Sequence, residues 1–277
     1  KIGYDVKAQP IYKKDSAGRY LKNAQGILLV DDDVETIASA FASFKNQTPL
    51  PKGETIYTVP NSELNSRLDA EHYRPSDQEM LAWLARNGGK RLDEIADIVS
   101  AGDDFRLTSE NEIRYIAISD VDARTMQVVS QQILQAHEAP SRATYRVQSG
   151  DIITATSGAS TGTARQATAL ITADEDGAIC SNGFAVLRNI HGVEPLYLLA
   201  YLRTEFFLRQ ARRLMTGHAI PAISNDDLAK IIVPIPSRVE QQKIAKAIST
   251  ILAMRKETLK AGEKIVAETE MLIRACA

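Results

Sequence analysis

Gly217–Ile248, GHAIPAISNDDLAKIIVPIPSRVEQQKIAKAI, decides how this chain is divided. Gly217 and Pro221 bracket a turn, because glycine reaches positive φ and proline holds φ fixed. Ile231–Pro236, IIVPIP, is a short apolar run closed by prolines, which predicts an edge strand or an extended segment and not a helix. Ser237 followed by Glu240 is a capping box, a device that satisfies the orphan N–H groups of a helix start. A globular body therefore ends at Pro236 and a long helix leaves it.

That helix is predicted over Ser237–Ala277, about forty residues or roughly 60 Å. Ile244, Ile248, Ile251, Leu252, Leu259, Ile265, Val266, Leu272 and Ile273 form one apolar stripe, and Arg255, Gly262 and Thr269 interrupt it. It reads as an imperfect heptad seam. A lone helix cannot bury such a stripe on itself, so a partner is expected: another copy, a second half of the same kind, or another subunit.

The pattern Gly217-His218-Ala219-Ile220-Pro221-Ala222-Ile223, with Leu228, Ile231, Val233–Pro236, Glu240-Gln241 and Ile244-Ala245, resembles the end of a target-recognition domain of the specificity subunit of type I restriction-modification systems. Earlier stretches extend that resemblance over residues 66–277. Ser66–Asp69 through Tyr73 is similar to the lead-in before such domains, and Lys90–Val99 with Gly102 resembles their opening. The strand ending at Asp120-Val121 and the Gly150–Gly162 stretch are similar to further elements of the family. The resemblance implies a module that reads a DNA half-site and delivers an adenine to an N6-methylase without doing chemistry. In that family two long helices hold two recognition domains at a fixed spacing.

The N-terminal stretch resembles something else. Gly3-Tyr4-Asp5, Ile11-Tyr12, Asp15, Gly18 and Asp31–Asp33 before a helix ending in Phe44-Lys45 are similar to the C-terminal end of N6-adenine DNA methylases. The catalytic Asn/Asp-Pro-Pro-Tyr/Phe motif of those enzymes is absent, and no Gly-rich cofactor loop follows a strand. The chain opens at Lys1, inside that stretch, so a fragment of a methylase fused to its own recognition domain is expected.

Composition narrows the alternatives. With 277 residues, 44% apolar and 25% charged, the chain can bury a real core as a globular protein. No apolar run is long enough to cross a bilayer. Cys180 and Cys276 read as two unrelated thiols of a reducing compartment, so a cytoplasmic location is expected. A net charge of −2 counts against a binder that is basic all over, yet leaves room for a local basic face.

Along the chain, Asp15–Gly18 is a turn. Asp31–Asp33 precede Val34, Ile37, Ala38, Phe41 and Phe44, an amphipathic helix with carboxylates at its positive end and not a metal site. Residues 46–65 read as a linker with one short strand at Thr55–Val59. Pro75 opens a helix through Trp83 and Leu84 that stops at Gly88-Gly89, with Trp83 as its buried anchor. Lys90–Val99 turns Leu92, Ile95, Ile98 and Val99 inward. Core strands are expected at Ile113–Val121, after Gly150, and over Ala178–Leu187 with a polar middle. Glu194-Pro195 open a helical region that runs to Leu214.

Two stretches carry candidate chemistry. Ser157–Thr163, SGASTGT, is either a phosphate-cradling loop or a tight turn with packing glycines. It lacks the Lys-Ser/Thr ending of a nucleotide-binding loop. Arg203, Arg209, Arg212 and Arg213 face only Glu205, the most basic patch of the chain, and read either as a solvated face or as a DNA contact.

These readings predict an α+β chain. A methylase-tail-like segment covers 1–50, and a linker and helix cover 51–88. A target-recognition domain with a mixed sheet and flanking helices covers 89–236, and one long coiled-coil-type helix covers 237–277. The expected DNA-contacting residues are Arg106, Arg114, Ser157, Ser160, Thr161, Arg165, Arg212, Arg213 and His218. No catalytic residue, metal or cofactor is expected. The expected partners are double-stranded DNA, an N6-adenine methylase, and a second helix paired through 244–273, with no membrane. The alternative is an assembly adaptor: the C-terminal part of a fused methyltransferase whose helix docks partners. A recognition module needs a positive concave face, which an adaptor does not.

Overall fold

The computed structural model describes residues 3–50, 53, 55–65, 67–107, 112–217 and 220–275. It divides into two units, Lys1–Ser76 and Asp77–Ala277.

The first unit is built on three tips of one design. The side-chain oxygens of Asp5, Asp15 and Asn23 each accept two backbone N–H groups, from the second and fourth residues onward. Each tip turns through a left-handed residue: Ala8 at φ 59°, Gly18 at 80° and Gly26 at 81°. Short polar side chains that mimic a backbone turn are the reason. Bridges Tyr12↔Val30, Lys14↔Tyr20 and Lys22↔Leu28 knit the arms together. Helix α1 (Val34–Lys45) follows, with Glu35 in its first turn and Lys45 in its last, as the helix dipole favours. Only Ala40 is buried in it, and Ile37, Phe41 and Phe44 stay exposed along a groove with Leu50, Ile56 and Val59. The strand expected at Thr55–Val59 does not form among the described residues. No strand pairs with it among the described residues, and Tyr57 donates its hydroxyl to the carbonyl of Ala70.

Helix α2 (Pro75–Arg86) opens the second unit and ends on Gly88 at φ +74°, where Gly89 N–H returns to the Leu84 carbonyl at 3.0 Å. Its anchor is Leu84, fully buried, with Met80. Trp83 is not buried. It is 47% exposed and stacks on Phe206, itself 43% exposed, with ring centroids 5.9 Å apart.

Strands β1 (Lys90–Arg91), β2 (Asp97–Ile98), β3 (Glu112–Ile116), β4 (Val121–Asp122), β5 (Gln127–Val128) and β6 (Gln132–Gln135) come next. They are followed by β7 (Ala143–Arg146), β8 (Ile152–Ala155), β9 (Thr168–Leu170), β10 (Ile179–Ser181) and β11 (Phe184–Arg188). Helices α3 (Pro195–Tyr201), α4 (Glu205–Leu214) and α5 (Asn225–Leu228) lead to β12 (Ile232–Val233) and α6 (Arg238–Ala275). Two four-stranded sheets form, in the orders β6-β3-β10-β7 and β2-β11-β8-β9, with two-stranded pairs β1-β12 and β4-β5. Among the described residues only β3 and β10 pair in parallel, which makes the first of these sheets mixed.

The layers follow from strand alternation. On β8, Ile152 faces the helix layer and Ile153 the space between the sheets; on β11, Leu187 and Val186 divide the same way. On β3 and β10, Ile116 and Cys180 meet that inter-sheet core, while Tyr115 and Ile179 turn to a third cluster around Phe105. A sheet buried on both faces has continuously apolar strands. That is why Ala178–Leu187 reads as one strand in sequence. It is two, broken at Asn182-Gly183, where the chain passes from one sheet to the other. The strand expected over Ile113–Val121 likewise ends at Ile116 and turns through Ile118–Asp120.

The IIVPIP segment is extended, as its prolines require. Among the described residues Lys90–Arg91 is its one strand partner. Side chains supply the rest: Gln210, 2% exposed, exchanges both its amide groups with the backbone of Ile232 at 2.8 and 2.9 Å. Tyr201 and Tyr197 donate to the carbonyls of Ile232 and Pro234, each at 2.7 Å. The Ser237–Glu240 box then forms, with Ser237 N–H to Glu240 Oε2 at 3.0 Å and Glu240 N–H to Ser237 Oγ at 3.4 Å. Helix α6 runs for 38 residues from there. It is seated on α3 by Ala245, Ile248 and the buried Gln241, which accepts Glu194 N–H at 2.8 Å. Ile244, assigned in sequence to the partner-seeking stripe, is 38% exposed, and Ile251, Ile265 and Val266 are more so. The stripe positions 259, 272 and 273, together with Arg255, have side chains outside the described residues.

Candidate nucleic-acid interface

The Gly/Ser/Thr loop is the connection between β8 and β9, two antiparallel strands paired through Ile152↔Leu170 and Thr154↔Thr168. Gly158 sits at φ +101° and Gly162 at +71°. A Cβ on Gly162 would lie 2.8 Å from Arg212 Cγ, so glycine there serves both conformation and close approach.

A second loop leaves the end of α4. Thr216 and Ala222 exchange backbone hydrogen bonds at 2.8 and 2.9 Å, closing a turn that begins with Gly217 at φ +88°. The Gly217–Pro221 turn read from sequence is this one. The two loops are stitched together. Gly158 N–H donates to the Pro221 carbonyl at 3.0 Å, Ile223 N–H to Thr156 at 2.8 Å, and Ser157 bridges Ala222.

The arginines of the basic patch are turned to specific tasks. Arg203 donates to the carbonyls of Gln166 at 2.6 Å and Ala164 at 2.8 Å. Burial lowers its guanidinium below the ordinary value, with nearby Asp122 acting in the opposite sense. Arg212 donates to the Gly162 carbonyl at 2.6 Å and pairs with Glu205. Arg209 locks α4 to α2 through Asp77, Nε to Oδ1 at 2.7 Å. Arg213 is half-buried and also engaged. The basic patch is therefore largely a set of braces, because the guanidiniums of Arg203, Arg209 and Arg212 find carbonyls or a carboxylate within their own unit.

Of the expected contact residues, the structure gathers Ser157, Ser160, Thr161 and Arg165 on this loop, with Arg212 of α4 against it. Ser157 and Ser160 are partly exposed and Arg165 is exposed. Thr161 is only 2% exposed, and its hydroxyl meets no hydrogen-bond partner among the described residues. Arg106 and Arg114 are held elsewhere. Arg106 donates to Pro140 at 2.7 Å and Ala143 at 3.3 Å and lies over the Phe105 ring, while Arg114 donates to the carbonyls of Asp174 and Asp176. His218 lies outside the described residues. Sequence reasoning missed Gln166, which is fully buried and central to the loop. An isolated glutamine beside Arg165 carries no local signal of that.

Among the described residues no group of His, Cys, Asp and Glu could hold a metal ion, and no helix is long and apolar enough to cross a membrane.

This arrangement of two sheets, a helix layer and paired loops is that of a DNA-specificity fold. Residues 89–268 match the type I restriction modification DNA specificity domain, and the chain belongs to that family. It is similar to the crystal structure of the HsdS subunit from Thermoanaerobacter tengcongensis, at 29% identity and a TM-score of 0.51, over 66% of this chain and 46% of that one. A chain from a study of complex assembly and conformational transition of the type I R-M system matches at 28% identity and a TM-score of 0.51, with the same coverage. The chain thus spans less than half the length of these relatives. No curated protein matches it by sequence.

Proposed function

We propose that this chain is a sequence-specific double-stranded DNA recognition module of a restriction-modification system, non-catalytic itself, which directs an N6-adenine methylase to its target. The observation that carries this reading is the stitched loop pair: Gly158–Pro221 and Ser157–Ala222 join two loops that present Ser157, Ser160 and Arg165 outward from a rigid sheet edge. Sites that read base edges need hydroxyl and guanidinium groups held on a stiff frame. Membership of the specificity family supports it. Arg212, Arg213, Thr161, Arg106, Arg114 and His218, the remaining residues expected from the sequence, complete the proposed interface.

The exposed Ile251, Ile265 and Val266 on α6 support helix pairing through 244–273, in coiled-coil fashion, with a second copy or with a methylase. The same observation favours the adaptor reading, in which the globular body is a spacer. Selection from a pool of randomised DNA duplexes separates the two. A recognition module enriches one short motif, with affinity falling by a log–log salt slope of roughly −0.9 per phosphate neutralised. An adaptor enriches none. In cells carrying the parent gene, sequencing of methylated adenines should return the same motif.

A further inference from the structure

We propose that Gln166 and Arg203 are positioning residues that set sequence discrimination without touching DNA. This inference rests on the recognition reading above. Gln166 is fully buried, so no base or phosphate can reach its side chain. Yet every polar group it has is spent on the loop. Its Oε1 accepts Gly162 N–H at 2.8 Å, its Nε2 donates to Ala155 O at 2.6 Å and Thr154 Oγ1 at 3.0 Å, and its own N–H donates to Thr163 O at 2.9 Å. Its carbonyl receives Arg203. One side chain therefore ties the loop tip to the end of β8.

A buried, fully satisfied amide adds little stability over an apolar residue of the same shape. It does impose one geometry, since any other arrangement leaves buried polar groups unpaired. Arg203 fixes the returning arm of the same loop at Ala164 and Gln166. Between these anchors lie Ser157, Ser160 and Arg165. Their display in space is set by the two braces, and a loop held to one display can reject a wrong base pair, whereas a loose loop adapts to it.

The test uses the full chain and a pool of duplexes with a randomised core. Arg203→Lys keeps the charge and removes the two-pronged donor; Gln166→Met keeps the bulk and removes the hydrogen bonds. Both variants are expected to melt cooperatively and to bind the unselected pool with the parent's affinity and salt slope. Enrichment of the parent's motif should fall by tenfold or more, and the Gly158 and Gly162 amides should exchange faster. Unchanged enrichment in a folded Arg203→Lys would overturn the inference. So would a loss of pool affinity with a shallower salt slope, which would make Arg203 a phosphate contact. If Gln166→Met does not fold, Arg203→Lys decides alone, since its side chain is only partly buried. A parent chain that enriches no motif overturns the recognition reading and this inference together; a parent and an Arg203→Lys that select equally well sink only the inference.

Discussion

Arg188 on β11 grips Asp151 at the entrance to β8 with two prongs, Nη2 to Oδ2 at 2.7 Å and Nε to Oδ1 at 3.0 Å. The Asp151 side chain is 3% exposed, and its Oδ2 also accepts Gln148 N–H at 2.8 Å. The guanidinium is held above its ordinary value by that carboxylate and donates as well to the Arg146 carbonyl at 2.9 Å. The pair thus ties the turn before β8 to the central strand that carries β8.

Removing one partner strands the other. Asp151→Ala should destabilise the fold by about 3–5 kcal/mol, the usual cost of leaving a buried charge unpaired. Arg188→Ala should cost nearly as much, and the double variant less than the two added together. Urea midpoints of the three variants measure this, and strict additivity would show that the two groups do not act as a pair.

Alkaline pH should weaken the fold through three buried acids. Burial pushes the Cys180 thiol and the Tyr197 phenol each up to about 12, and Tyr201 higher still. A folded pKa raised above the unfolded value means that the unfolded chain loses its proton first. The contribution is therefore whole below about pH 8.5 for the thiol and about pH 10 for the phenols. It is lost as the pH climbs toward about 12. Tyrosinate absorbance during an alkaline titration should show Tyr197 and Tyr201 ionising only with unfolding. Tyr197→Phe, which gives up the bond to Pro234, should cost about 1 kcal/mol at neutral pH and flatten the alkaline loss.

Gly162→Ala and Gly158→Ala should separate conformation from crowding. A Cβ at Gly158 meets open space, while one at Gly162 meets Arg212 Cγ at 2.8 Å. At both glycines the positive φ costs an L-residue roughly 1–2 kcal/mol, and at Gly162 Arg212 must also release the loop. Thermal melts should place Gly162→Ala below Gly158→Ala. Equal melts would remove Arg212 as a brace.

Pairing through α6 should depend on its exposed apolar residues. Ile251→Asp with Ile265→Asp should turn an associating chain into a monomer with an unchanged body, since these side chains are 47% and 63% exposed in the single chain. Burying each aliphatic in a partner's seam contributes roughly 1.5–3 kcal/mol. Sedimentation of both proteins over a range of concentrations reads the outcome, and a parent that is monomeric throughout would exclude self-pairing.

What the sequence determined by itself is local. The Ser237–Glu240 box, the Asp15–Gly18 turn, the Gly88-Gly89 stop and the extended IIVPIP run depend on residues a few positions apart, whose backbone preferences act without help from the rest of the chain. The glycines of the β8–β9 loop and the Gly217 turn were legible for the same reason. Other features required partners distant in sequence. Ala178–Leu187 shows only a polar middle at Ser181–Gly183, and nothing in it tells that the chain changes sheets there, because the apolar runs on both sides are buried either way. Trp83 reads as a buried anchor until packing leaves it half exposed, stacked on Phe206 of α4. Arg203, just before α4, and Arg212 on α4 look like part of a basic face until packing brings the carbonyls of residues 162–166 within reach. Gln166 is ordinary in sequence and becomes the keystone of the loop only when β8 and β9 pair. Hydrogen bonds between residues far apart are decided by which surfaces the core brings together, and that is a property of the packed chain and of no segment within it.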